Sequence, residues 1–172
     1  MTKRFVETLH INDECYTPNY AVLPLVKYLQ PFLGKIIWCP FDSAESEYVK
    51  VLTAAGHRVI FSHKDTGQDF FDFGDSKPLP EFDLIVSNPP FHNKAKLVER
   101  IVSYGKPFAL LLPMTWLNDC APFRLFAGGG LELMLFNKRV RFKNCGNQPS
   151  FGVGYYCHGI LPEKIVWEVL PE

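Results

Sequence analysis

Apolar positions along the chain fall into two alternating kinds of segment. Short apolar runs, Lys35-Ile36-Ile37-Trp38-Cys39, Arg58-Val59-Ile60-Phe61, Phe82-Asp83-Leu84-Ile85-Val86 and Phe108-Ala109-Leu110-Leu111-Leu112, read as strands. The last lacks polar alternation, as a strand covered on both faces should. Between these runs apolar residues recur at helical spacing, first at Tyr20, Val22, Leu25, Val26 and Leu29, then at Tyr48, Val49, Val51 and Leu52, then over residues 94–104. Thr17-Pro18 reads as an N-cap followed by a first-turn proline. Asp42 and Glu45 read as a capping box, and Gly56 and Gly105 as helix stops. Farther along, residues 122–126 suggest a short helix, and residues 131–136, 155–160 and 165–169 suggest strands. The alternation predicts a parallel α/β sheet covered by helices, with antiparallel strands closing one edge.

Length and composition narrow this picture. The 172 residues fit one domain, 1–172, and 47% hydrophobic residues suffice for an ordinary core. With 18 basic and 18 acidic side chains the chain has no global field for nucleic acid, so any such binding needs a local patch. The apolar runs are strand-sized, and Met1-Thr2-Lys3-Arg4 leads into no signal-peptide core, so a soluble cytoplasmic protein without membrane association is expected. Five scattered cysteines without a Cys-x-x-Cys pair predict reduced, structural thiols and no metal site.

The candidate chemistry centres on Ser87-Asn88-Pro89-Pro90-Phe91, directly after an apolar strand. An open α/β sheet keeps its chemistry at strand ends of this kind. The prolines fix φ and bias the preceding residues away from helix, so the Asn88 side chain and nearby carbonyls can face one small space. Carbonyl acceptors on both hydrogens of an exocyclic amine draw its delocalised lone pair back onto nitrogen, making it nucleophilic without a strong base. Phe91 offers a flat face on which a base can stack.

Asn-Pro-Pro-aromatic is the signature of methyltransferases acting on amino nitrogens, and this chain resembles the adenine-N6 class. Other elements follow in the order that resemblance implies. Tyr16-Thr17-Pro18 precedes the first strand, where the family contacts the methionine end of S-adenosyl-L-methionine (SAM). Cys39-Pro40-Phe41-Asp42 is similar to the cofactor loop. Gln68-Asp69-Phe70 matches the Asp-Phe that bonds and packs against the cofactor adenine. The whole chain is similar to small bacterial and phage proteins of this class that carry no separate target-recognition domain. The resemblance implies a Rossmann-like SAM-dependent methyltransferase fold, with a mostly parallel sheet of about seven strands and helices on both faces. It also implies a partner supplied in trans if target recognition is borrowed.

Aligning Pro40-Phe41 with the family leaves Cys39 at the usual acid and Ser43 and Glu45 where glycines normally stand, so Asp42 becomes the substitute acceptor. No acid ends the second strand; Ser62 or His63 either bonds a cofactor hydroxyl or belongs to the surface. Lys138, Arg139, Arg141 and Lys143 place four cations within six residues, as a phosphate clamp or a charged edge strand. Phe151 stands where the family often has an aromatic that sandwiches the base. The expected activity is methyl transfer to adenine N6 in DNA or RNA. Methylation of protein glutamine or RNA guanine, and a non-catalytic module with a decayed cofactor loop, are the alternatives.

Overall fold

A computed structural model describes residues 15–171. Among them β1 (Ile36–Cys39), β2 (Arg58–Phe61), β3 (Leu84–Ser87), β4 (Phe108–Pro113), β5 (Glu132–Phe136), β6 (Val153–His158) and β7 (Ile165–Glu168) form one seven-stranded sheet. The strand order is β2-β1-β3-β4-β6-β5-β7, and every neighbouring pair is parallel except the two that involve β6.

Helices α1 (Asn19–Leu29), α2 (Glu47–Ala54), α3 (Lys94–Ser103) and α4 (Cys120–Phe126) complete the α/β architecture. Leu25 and Leu29 of α1 and Leu52 of α2 pack on the face of the sheet that carries Ile37, Val86 and Leu111. Leu97, Val98 and Ile101 of α3 cover the opposite face at Trp38, Ile85 and Leu110. Each fully buried leucine contributes about 2 kcal/mol by leaving water. Because helices cover both sides, β3 and β4 are buried at every position, which is why their sequences do not alternate. No helix among the described residues is long and apolar enough to cross a membrane.

From β1 the chain crosses to β2 on one side, then places β3 on the other side of β1. This reversal opens a crevice beyond the C-terminal ends of β1 and β3, the usual ligand position in an open α/β sheet. The C-terminal strands depart from the expected antiparallel edge. Only β6 is reversed, and it lies inside the sheet between β4 and β5, while β7 forms the edge parallel to β5. The long connection from β5 to β6 contains no crossover helix, so β6 returns as an antiparallel neighbour. Close packing there requires a glycine: a Cβ on Gly154 would stand 2.7 Å from Met114 Sδ and 2.8 Å from the Met134 carbonyl oxygen.

Two helix starts differ from expectation. The N-cap of α1 is Pro18, with extended backbone at φ −73° and ψ 154°, and Thr17 precedes it without capping. The N-cap of α2 is Ser46, whose hydroxyl accepts from the Tyr48 N–H at 3.2 Å; Asp42 is instead drawn into the crevice. The thiol expectation is corrected as well. Cys15 and Cys145 form a disulfide with Cα atoms 4.9 Å apart, while Cys39, Cys120 and Cys157 are free. Pairing of Tyr16 with Lys143, through N–H to carbonyl bonds of 3.0 and 2.8 Å, brings these distant cysteines together.

Candidate functional site

The crevice begins where β1 ends. After Cys39 the chain turns through Pro40 and Phe41, and the Asp42 N–H bonds the Ser62 carbonyl at 3.1 Å, turning the carboxylate inward. Asp42 is only 8% exposed. Its oxygens each accept a 2.5 Å hydrogen bond, Oδ1 from the Ser46 hydroxyl and Oδ2 from the Ser87 hydroxyl. Burial pushes its pKa from 3.8 up to about 6, against the lowering effect of those two hydroxyls and of nearby His63. Cys39, at the end of β1, is fully buried in the core, and burial raises its thiol pKa.

Ser87 ends β3, and Asn88 follows at the mouth of the crevice. The Asn88 amide nitrogen donates to the Cys15 carbonyl at 3.4 Å, while Oδ1 is buried without a partner among the described residues. A buried acceptor left without a partner costs about 1–3 kcal/mol, and none of the described residues supplies a donor to this oxygen. Pro89 is buried, and the Phe91 carbonyl accepts from Lys94 Nζ at 3.5 Å. Phe91 packs edge-on against Phe151, with ring centroids 5.8 Å apart and planes inclined at 62°. The tilt differs from the parallel pair that a sandwiched base would need, so a stacked base requires Phe151 to turn.

Thr17 lies on the same side of the sheet. Its buried hydroxyl faces the Tyr48 phenol without closing a hydrogen bond of normal geometry. The Tyr48 and Tyr155 hydroxyls are 2.9 Å apart, and Tyr155 donates to the Ala21 carbonyl at 3.1 Å. Burial raises both phenol pKa values above the ordinary value, so both remain neutral donors beneath the crevice. From the sequence Tyr48 is a helix position and Ser87 opens the polar loop before Asn88, while nothing local marks Ser46; the hydroxyl contacts of the two serines with Asp42 emerge only in the fold.

The fold commits other candidates to internal contacts. Ser62 accepts from Trp38 Nε1 at 3.1 Å and bonds the Pro40 carbonyl at 3.4 Å. His63 Nδ1 accepts from the Asp65 N–H at 3.2 Å, capping a short turn. Asp69 Oδ1 likewise accepts from the Phe71 N–H at 2.8 Å, although this side chain remains exposed. Phe70 is buried between Trp38 and Phe41, with centroids 5.6 and 5.0 Å away, leaving Phe41 and Phe71 as the more open rings.

Residues 139–143 are not a strand, yet their exposure alternates: Arg139, Arg141 and Lys143 face solvent, while Val140 and Phe142 enter the core. Side chains replace the missing ladder. The Tyr20 hydroxyl accepts from the Arg141 N–H at 2.9 Å and donates to its carbonyl at 3.2 Å, and Gln148 clasps Phe142 from both amide ends at 2.8 and 2.7 Å. Lys143 is paired with Glu47 at 2.8 Å. Among the described residues no carboxylate pairs with Lys138, Arg139 or Arg141, and no group of three His, Cys, Asp or Glu could hold a metal ion. Compared with known proteins, the chain matches no family model and no curated protein sequence.

Proposed function

We propose that this chain is a SAM-dependent methyltransferase that modifies adenine N6 in nucleic acid at the crevice between β1 and β3. The observation that carries the reading is Asn88 Oδ1, a buried acceptor without a partner among the described residues, whose own amide nitrogen is tied to Cys15. An exocyclic amine directed at this oxygen finds the polarity it requires. Asn88 Oδ1 accepts one amine hydrogen and the Pro89 carbonyl the other, which localises the nitrogen lone pair toward the methyl donor. After transfer the nitrogen releases one proton to water. Phe91 stacks the ring once Phe151 has turned aside, and a base in duplex DNA must first be flipped out. RNA with unpaired adenines meets the same requirement more cheaply.

The residues fit the methionine end of SAM: Thr17 Oγ1 is buried without a hydrogen-bond partner among the described residues, and the buried Asp42 carboxylate adds an acceptor. Tyr16 and Pro18 frame Thr17, and Pro40 and Phe41 frame Asp42, while the exposed Asp69 carboxylate is available to the adenine amine. Bound SAM supplies an electrophilic methyl carbon whose bond to sulfur breaks with both electrons going to sulfur.

A second reading, a binding module without turnover, is favoured by the internal commitment of Ser62 and Phe70. Isothermal titration with SAM and its demethylated product separates the two. Heat that disappears in a folded Asp42 variant, together with labelled N6-methyladenine in digested nucleic acid, supports the enzyme. No heat at millimolar ligand, with or without nucleic acid, refutes it.

A further inference from the structure

A groove of about 300 Å³ lies beside the β5–β7 edge, outside the crevice. Met114, Leu135 and Val153 contribute apolar surface, Trp167 an indole, and Lys138 and Arg139 two cations; among the described residues no carboxylate lines it. Trp167 is 69% exposed, whereas Trp38 and Trp116 are 1% and 2% exposed. Gly152 also lines the groove and directly follows Phe151, whose ring touches Phe91. Gly152 thus links the groove along the chain to the aromatic pair of the crevice.

We propose that this groove binds single-stranded nucleic acid next to the modified base, with a flanking base stacked on Trp167 and phosphates held by Lys138 and Arg139. A large exposed indole costs free energy in water unless something covers it, and a planar base matches both its shape and its π face. The unpaired cations make the rim complementary to phosphates and unsuited to an uncharged apolar partner. The assignment rests on the nucleic-acid methyltransferase reading for the identity of the strand, but it has its own readout.

Intrinsic fluorescence provides that readout, because the other two tryptophans are buried. A single-stranded oligonucleotide titrated into the protein without SAM should quench the emission. Trp167→Phe should lose the quenching and keep most of the affinity measured by anisotropy of a fluorescein-labelled strand. Trp167→Ala should weaken binding about tenfold. The Lys138→Gln, Arg139→Gln double variant should reduce the slope of log affinity against log salt by about 1.4. Circular dichroism checks that each variant is folded, and the exposed positions make this the expected result. Oligonucleotide binding that leaves tryptophan emission and the Trp167→Ala affinity unchanged overturns the groove, and so does an absence of binding. Heat from SAM in that last case leaves the methyltransferase reading standing. Quenching without SAM heat keeps the groove and removes the enzyme.

Discussion

Ser87, the last residue of β3, donates a buried 2.5 Å hydrogen bond to Asp42, 45 residues earlier and just beyond β1. The bond joins the loops on the two sides of the sheet's topological reversal. It also sets Asn88, the next residue, against a fixed carboxylate instead of a free chain. A second hydroxyl, from Ser46, ties the same carboxylate to the start of α2. Geometry at the crevice thus depends on one buried acid and two serines.

Asp42 should make stability depend on pH. The folded chain holds this proton more tightly than the unfolded chain, since burial raises the pKa from 3.8 to about 6. Its contribution is therefore complete below the unfolded value and is lost as pH rises through about 6. Asp42→Asn, neutral and nearly isosteric, should flatten this part of the profile, a change of up to about 3 kcal/mol. Urea midpoints measured at about pH 4.5 and about pH 7.5 provide the check. Profiles that remain parallel would assign the titration to another group.

Asn88→Ala should remove the open acceptor and leave the fold intact, since the side-chain hydrogen bond it breaks is a long one to Cys15. Transfer of labelled methyl to an adenine-containing oligonucleotide should fall about a hundredfold or more, as when one donor or acceptor is lost from a preorganised site. SAM affinity should change little by comparison. Near-normal turnover in this variant would eliminate the proposed role of the amide.

The Cys15–Cys145 disulfide spans 130 residues and holds the Tyr16–Lys143 pairing and the Cys15 carbonyl beside Asn88. Closing so long a loop in the unfolded chain stabilises by at most about 5 kcal/mol on the chain-entropy account. Thermal unfolding should shift to lower temperature in reductant, and the Cys15→Ser, Cys145→Ser double variant should melt there without any reductant effect. Identical melting curves for the wild type with and without reductant would show that the thiols are not joined.

Gly154→Ala should weaken the sheet, because the added carbon meets Met114 Sδ and a β5 backbone oxygen within 3 Å. An overpacked site of this kind costs about 1–3 kcal/mol. Gly152→Ala, with nothing within 4 Å of its added carbon, serves as the neighbouring control. Equal denaturant midpoints for the two variants would mean that β5 and β6 can separate at little cost.

Much of this architecture was legible in local patterns. Unbroken runs such as Phe108 to Leu112 identified the covered strands, and the 3.6-residue spacing at Val22, Leu25 and Leu29 identified the inward face of α1. Gly56 was recognisable as a helix stop because its φ of +89° suits a residue without Cβ. The position of Asn88 at a strand end was equally readable, since it depends only on the strand beside it.

Partnerships between distant segments were not legible. Ser46 caps α2 because the helix begins at Glu47, and Asp42 is engaged instead by the Ser46 and Ser87 hydroxyls, the latter brought near only by the pairing of β1 with β3. Cys15 and Cys145 meet because a short bridge joins the chain before α1 to the loop before β6. Ser62 and Phe70 look like ligand residues in isolation, but Trp38 engages one by hydrogen bond and packs against the other.

By itself the sequence determined the elements, the faces they bury and the loop that carries Asn88, because each follows from propensity and periodicity over a few residues. Tertiary structure alone decided the interior position of the reversed strand, the disulfide, and which polar atoms at the crevice are satisfied and which remain open. Those outcomes depend on contacts between segments far apart in the chain, where burial leaves one partner for some groups and, among the described residues, none for Asn88 Oδ1.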